Sequence, residues 1–234
     1  MKREWNTKVD LLLAGLSVIV FLGALGMVFF YAPREATLGE VQRIFYFHVA
    51  SAWVGFFGFF VTFLGGALYL MQGQRRWDIL ALASAEIGLT FITMTLLTGM
   101  LWAKPAWGVY WTWEPRLTIS AVQWLLYLAY VMLRSSVSAA GSGPEREARF
   151  AAVYGIVAFT TVPLSWFAIR WWRTIHPQVF SASGMAITPK MLTTLLISLA
   201  AFTVLYGTLL RARMQLEHER DHLAALRCER DEED

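Results

Sequence analysis

Three tryptophans fall within seven residues of one another, Trp107, Trp111 and Trp113, in the stretch KPAWGVYWTWEPR that covers 104–116. Trp102 lies just before it, Trp124 a little after, and Tyr110 adds a further ring. Tryptophan and tyrosine gather at membrane–water interfaces, and an aromatic belt explains one or two of these rings. Belt residues are spread over several helix ends, however, and this cluster also carries a glycine, the carboxylate Glu114 and the cation Arg116. Trp107 and Trp111 stand four apart, a spacing that puts two side chains on one helical face. Such a face is a broad, rigid apolar plate suited to a flat aromatic ligand. Belt and ligand platform both remain open on these residues alone.

Two of the four histidines bear on the choice. His48 sits in FYFHVASAW and His176 in RTIHPQ. A lone histidine near an apolar helix end is most often a hydrogen-bonded structural residue. Two on the same side as a tryptophan cluster are a less ordinary combination. Neutral imidazole is a good iron ligand, and two imidazoles can fill both axial positions of a haem. Lys104, Arg116, Arg170 and Arg173 are candidates to pair with the haem propionates, arginine having a fork that matches a carboxylate. Each of these cations could equally serve membrane orientation or headgroup contact.

Other residues carry weaker signals. His218 and His222, four apart, have metal-binding spacing, but no third ligand is evident in a highly charged segment, which reads as a solvated helix. Glu86 falls inside an apolar run, where an acid is a functional candidate, although it stands near the end of that run and could reach the interface. Cys228 is the single cysteine. It excludes an intrachain disulfide, a CxxC redox pair and the CxxCH sequence that tethers haem covalently. No nucleotide-binding loop, nucleophile elbow or metal-hydrolase motif is present.

The elements that must position these residues are membrane spans. Of the 234 residues, 57% are apolar and 16% charged, against about 45–50% and about 25% in an ordinary soluble domain. Mean hydropathy is +0.48. Charges cluster between six long apolar runs, at 9–31, 44–71, 79–103, 117–133, 150–169 and 191–210. Each run is near the ~20 residues a helix needs to cross a ~30 Å hydrocarbon core. Backbone polar groups in lipid must be satisfied internally, so the runs are expected to be helices. The first exceeds a signal-peptide core and has no cleavage site after it, so it is expected to be a retained anchor. With the N-terminus inside, the inner segments hold 13 of the 20 lysines and arginines. Without the tail the bias is 8 against 7. Lys2, Arg3, Lys8 and the Arg75–Arg76 pair sit where the positive-inside rule acts most strongly. The expected architecture is all-α integral membrane, with both termini cytoplasmic and the tryptophan-rich loop outside between helices 3 and 4. Residues 1–210 form the membrane domain. Residues 211–234 form a charged cytoplasmic tail that is expected to fray into its acidic end. The small-residue stretch 138–144 is expected to be a flexible inner loop.

The run WGVYWTWEPRLT, from Trp107 to Thr118, resembles the WWD signature of the haem-handling proteins of cytochrome c maturation. FYFHVASAW around His48 and IHPQ around His176 resemble that family's two flanking-histidine motifs, and the likeness covers all six spans. Chain length and span number match the family's short branch; longer relatives carry more spans. Tyr110 stands where a tryptophan is common and keeps an aromatic face. Glu114 stands where an aspartate is usual and moves the charge by one methylene.

The resemblance implies a haem-binding protein of the bacterial cytoplasmic membrane that is not an enzyme. His48 and His176 would be axial ligands of a transiently held, non-covalent haem b on the periplasmic side. Trp107, Tyr110, Trp111, Trp113, Glu114 and Arg116 would form its binding loop. The implied partners are the haem chaperone CcmE, the small membrane protein CcmD and the ABC transporter CcmAB, with no nucleic acid. Two rival classes are a transporter that moves haem through the bilayer and a b-type redox protein with bis-histidine haem. The first predicts a polar path at mid-membrane, for which Glu86 and Gln123 are among few candidates. The second ordinarily places its ligands within spans.

Overall fold

A computed structural model of the chain describes residues 7–139, 143–172, 176, 180–181, 184–185 and 187–233. Lys2, Arg3, Arg173, Asp234 and the middle of the 138–144 stretch lie outside the described residues. The order is α1 (Thr7–Gly26), a π-helical turn (Met27–Tyr31), a 3₁₀ turn (Glu40–Arg43), α2 (Ile44–Gln72) and α3 (Arg75–Trp107). There follow α4 (Pro115–Ala139), α5 (Pro144–Phe159), α6 (Thr161–Trp171) and α7 (Pro189–Glu233). A two-residue antiparallel ladder pairs Phe180–Ser181 with Gly184–Met185 before α7. Six helical segments are long and apolar enough to cross a membrane, α1 with its π turn and α5 with α6 each counting as one. The chain is a multi-pass membrane protein.

Local chemistry sets where the helices stop. Gly73 ends α2 in the left-handed region at φ 66°, its N–H bonding back to the Tyr69 carbonyl. Gly108 ends α3 in the same way, at φ 78° with its N–H on the Lys104 carbonyl. Both are glycine C-caps, the residue that adopts this conformation at least steric cost. The fifth span is interrupted, not continuous as 150–169 implied. Pro163 cannot donate to the Phe159 carbonyl and its ring crowds that group, so the helix breaks between α5 and α6.

Helices α2 and α3 form the central pair, held by small residues. A Cβ on Gly58 would stand 3.0 Å from the Gly88 Cα, so the two backbones meet there directly. The main core centres on Phe59, Ile92, Tyr127 and Tyr130, with the Phe59 and Tyr127 rings stacked at 3.4 Å between centroids. A second cluster joins Val54 and Phe91 to Phe202 and Tyr206 of α7. Helix α1 is peripheral: Leu11, Leu12 and Ile19 are exposed to the surroundings, as suits a helix that faces lipid. It is tied to α7 by a hydrogen bond between the Ser17 and Thr208 hydroxyls, at 2.7 Å, and by the Asp10–Arg211 ion pair.

The end of the bundle that carries Asp78 holds a network of charges. Asp78, buried at 2% exposure, accepts from both Arg75 and Arg134. Arg134 also faces Glu147 at 3.2 Å. Glu86 pairs with Arg213 at 2.6 Å, and the buried Glu217 with Arg213 at 2.5 Å and Arg220 at 2.8 Å. Arg75 reaches Asp221. The tail is therefore a continuation of α7 whose first turns are clamped to α3; it does not begin as a solvated segment at 211. Beyond Arg220, the side chains of residues 221–231 are exposed.

Candidate functional site: an apolar pocket between two histidines

At the opposite end of the bundle, α2, α3, α4 and the residues after α3 line a pocket. Its floor and walls are apolar, with Phe45, Phe56, Leu96, Met100 and Leu117 among them. His48, Trp107, Tyr110, Trp111, Arg116 and His176 converge on this apolar lining.

His48 is held by α3. Its Nδ1 lies 3.0 Å from the Thr95 carbonyl and 3.3 Å from the Thr98 hydroxyl. A carbonyl only accepts, so Nδ1 carries the proton and the Nε2 lone pair is left for a ligand. Gly99 makes room for the ring: a Cβ there would stand 3.0 Å from His48 Cε1. Thr95 and Gly99 were not among the residues singled out from sequence. A glycine inside a long apolar helix was the available signal, but its partner could not be read from one chain.

His176 approaches from the segment between α6 and α7. Its ring centroid lies 6.4 Å from that of His48 and 6.4 Å from the Trp107 ring. The two imidazoles, both in the pocket lining, would be the residues to hold a haem iron, were one bound there.

The tryptophan-rich stretch departs from expectation in two respects. Trp107 is the last residue of α3, not part of a loop, and Trp102 packs edge-on against it at 5.5 Å. Gly108 then stops the helix, so Trp107 and Trp111 do not share a helical face. They reach the pocket from separate stretches of backbone. Trp113 is 76% exposed and does not line the pocket; it touches Trp111 edge-on at 5.7 Å. Glu114 also lies outside the lining, and its backbone carbonyl accepts from Thr118 in the first turn of α4.

The cations divide as well. Arg116 lines the pocket, with Glu114 acting on it electrostatically. Lys104 instead donates to the Gly108 carbonyl at 2.9 Å and lies over the Tyr110 ring. Arg170 is exposed and lies outside the lining. At the tail, no group of three or more metal-ligating side chains forms among the described residues, and His222 is exposed.

The family described as Heme exporter protein C matches residues 2–229. The chain belongs to that family. It is 34% identical over 197 residues to the Heme exporter protein C of Bradyrhizobium diazoefficiens, covering 83% of this chain and 73% of the relative. It is 31% identical over 198 residues to that of Haemophilus influenzae, covering 81% and 77%. With the Escherichia coli K12 protein of the same name the figures are 30% over 204 residues, 87% and 81%. The matched residues include both histidine motifs and the tryptophan-rich stretch.

Proposed function

We propose that this protein binds haem in the pocket and delivers it during c-type cytochrome maturation. The observation that carries the reading is the pair His48 and His176, with ring centroids 6.4 Å apart in the lining of an apolar cavity that contains one arginine. Haem is a flat apolar ring with two carboxylates, and that ligand set answers each part. His48 and His176 hold the iron, Trp107, Tyr110 and Trp111 cover the porphyrin, and Arg116 pairs with a propionate. Membership of a family named for haem export supports the same cargo.

The haem is held as non-covalent haem b, because the chain has one cysteine, Cys228, and no CxxCH sequence. The pocket lies on the outer side of the cytoplasmic membrane, on the reading of the positive charges. At the end of the bundle, it presents the haem edge to a partner. We assign that partner as the chaperone CcmE, working beside CcmD and CcmAB. This chain's own residues bind, orient and release the cargo. Trp113, exposed at the rim, is placed to meet the partner and not the haem.

The test is transfer. Cells expressing the whole maturation pathway with this chain should accumulate haem covalently bound to CcmE, read by haem stain on a denaturing gel. The His48→Ala and His176→Ala variants should not. Full chaperone loading by both variants, or reduction of the bound haem by quinol without any transfer, would sink the delivery reading and favour a b-type redox protein.

A further inference from the structure

Six polar side chains share one face of α4: Arg116, Ser120, Gln123, Tyr127, Tyr130 and Arg134, spaced alternately four and three residues apart. That alternation keeps side chains on a single helical stripe. Eighteen residues at 1.5 Å rise cover about 27 Å, close to the ~30 Å hydrocarbon thickness. The stripe starts at Arg116 and Ser120, which line the pocket, and ends at Arg134, bonded to Asp78 at 3.1 Å.

Its middle is buried and unsatisfied. Gln123 is 0% exposed, and neither its Nε2 nor its Oε1 finds a hydrogen-bond partner among the described residues. Tyr127 is also 0% exposed, and its hydroxyl likewise finds none there. A carboxamide with no donor or acceptor satisfied is among the costliest groups to bury. Buried polar groups almost always have a partner, protein or water.

We propose that these side chains hold a single file of internal water, running from the pocket floor at Ser120 past Gln123 and Tyr127 and stopping at the Arg134–Asp78 ion pair. The file hydrates the floor of the pocket and gives water a route in and out as cargo leaves and enters. The stop seals it, because Arg134, locked onto the Asp78 carboxylate, fills the end of the path with a fixed ion pair. The path is too narrow for a porphyrin: the Phe59 ring lies directly on Tyr127. The inference stands independently of which cargo the pocket holds.

The experiment is X-ray radiolytic labelling of the full chain in lipid nanodiscs, in ¹⁸O-water. The internal control is Tyr206, 3% exposed, with its hydroxyl bonded to Ser84. Tyr127 should take up label about fivefold faster than Tyr206, because bound water is the source of the radical. In Gln123→Leu that ratio should fall to about one, with no gain in thermal stability. Tyr127 labelling no faster than Tyr206 in the wild type would overturn the water file. A Gln123→Leu protein that gains stability would overturn it too, as a dry amide replaced by hydrocarbon should. For the seal, Arg134→Gln in proteoliposomes with a trapped pH dye should admit protons several-fold faster than wild type, and adding Gln123→Leu should reverse this. Unchanged proton entry in an Arg134→Gln protein that still labels at Tyr127 would contradict the seal.

Discussion

The backbone carbonyl of Thr95 accepts a hydrogen bond from Nδ1 of His48 at 3.0 Å. That contact fixes the tautomer and aims Nε2 into the pocket, as a carbonyl behind a ligating histidine ordinarily does. It depends on close approach of α2 and α3, which Gly99 permits.

Gly99→Val should push the imidazole off this carbonyl. A Cβ at this position already lies 3.0 Å from His48 Cε1, and valine adds two methyls. Overpacking of this kind costs about 1–3 kcal/mol, so haem affinity should fall by about tenfold or more. Titration of haem into purified protein, with a melting curve as the check on folding, measures it.

Arg116→Gln removes the one arginine of the pocket lining. Hydrogen bonds to charged groups contribute about 1.5–3 kcal/mol, so haem binding should weaken about ten- to a hundredfold. Arg116→Lys should recover only part, since lysine keeps the charge and loses the fork. The loss should disappear for a haem diester, which carries no propionate charge.

The tryptophans should not behave alike. Trp107 packs within 6.4 Å of His176 and lines the pocket, whereas Trp113 is 76% exposed. Trp107→Ala should weaken haem binding by about tenfold or more. Trp113→Ala should leave affinity within about twofold and, if the rim meets the chaperone, slow transfer instead.

Removing the chain after Arg227 should not change the melting temperature, because residues 228–231 are exposed. Removing it after Arg213 deletes Glu217 and Asp221, both of which pair with Arg75 of α3. Each such pair contributes about 0.2–1 kcal/mol, so the melting temperature should drop by a few degrees. The haem spectrum should be unchanged in both truncations, since the clamp lies at the far end of the bundle from the pocket.

The six spans were legible because lipid demands long apolar helices, and the residues between them say little else. Helix ends were less so. Lys104 and Pro105 suggest a loop, yet α3 winds on through Pro105 to Trp107, and Gly108 supplies the stop. The residues of the pocket were legible by type, because tryptophan, histidine and arginine carry distinct chemistry. Which of them face inward was not. Trp113 and Glu114 fall in the same signature as Trp111 and Arg116, and only the backbone between Gly108 and Pro115 turns them away. Gly99 and Thr95 act through contacts between helices, which sequence spacing does not encode. Gln123 was visible as a polar residue in a span, but not as one of a stripe that reaches Arg134.

If His48 and His176 hold one iron between them, the visible absorption spectrum of detergent-purified, haem-loaded protein reports it. The wild type should show a low-spin, bis-imidazole spectrum. His48→Ala and His176→Ala should each lose it, giving a high-spin species or no bound haem. A low-spin spectrum unchanged in either variant would take that histidine off the iron and contradict the account.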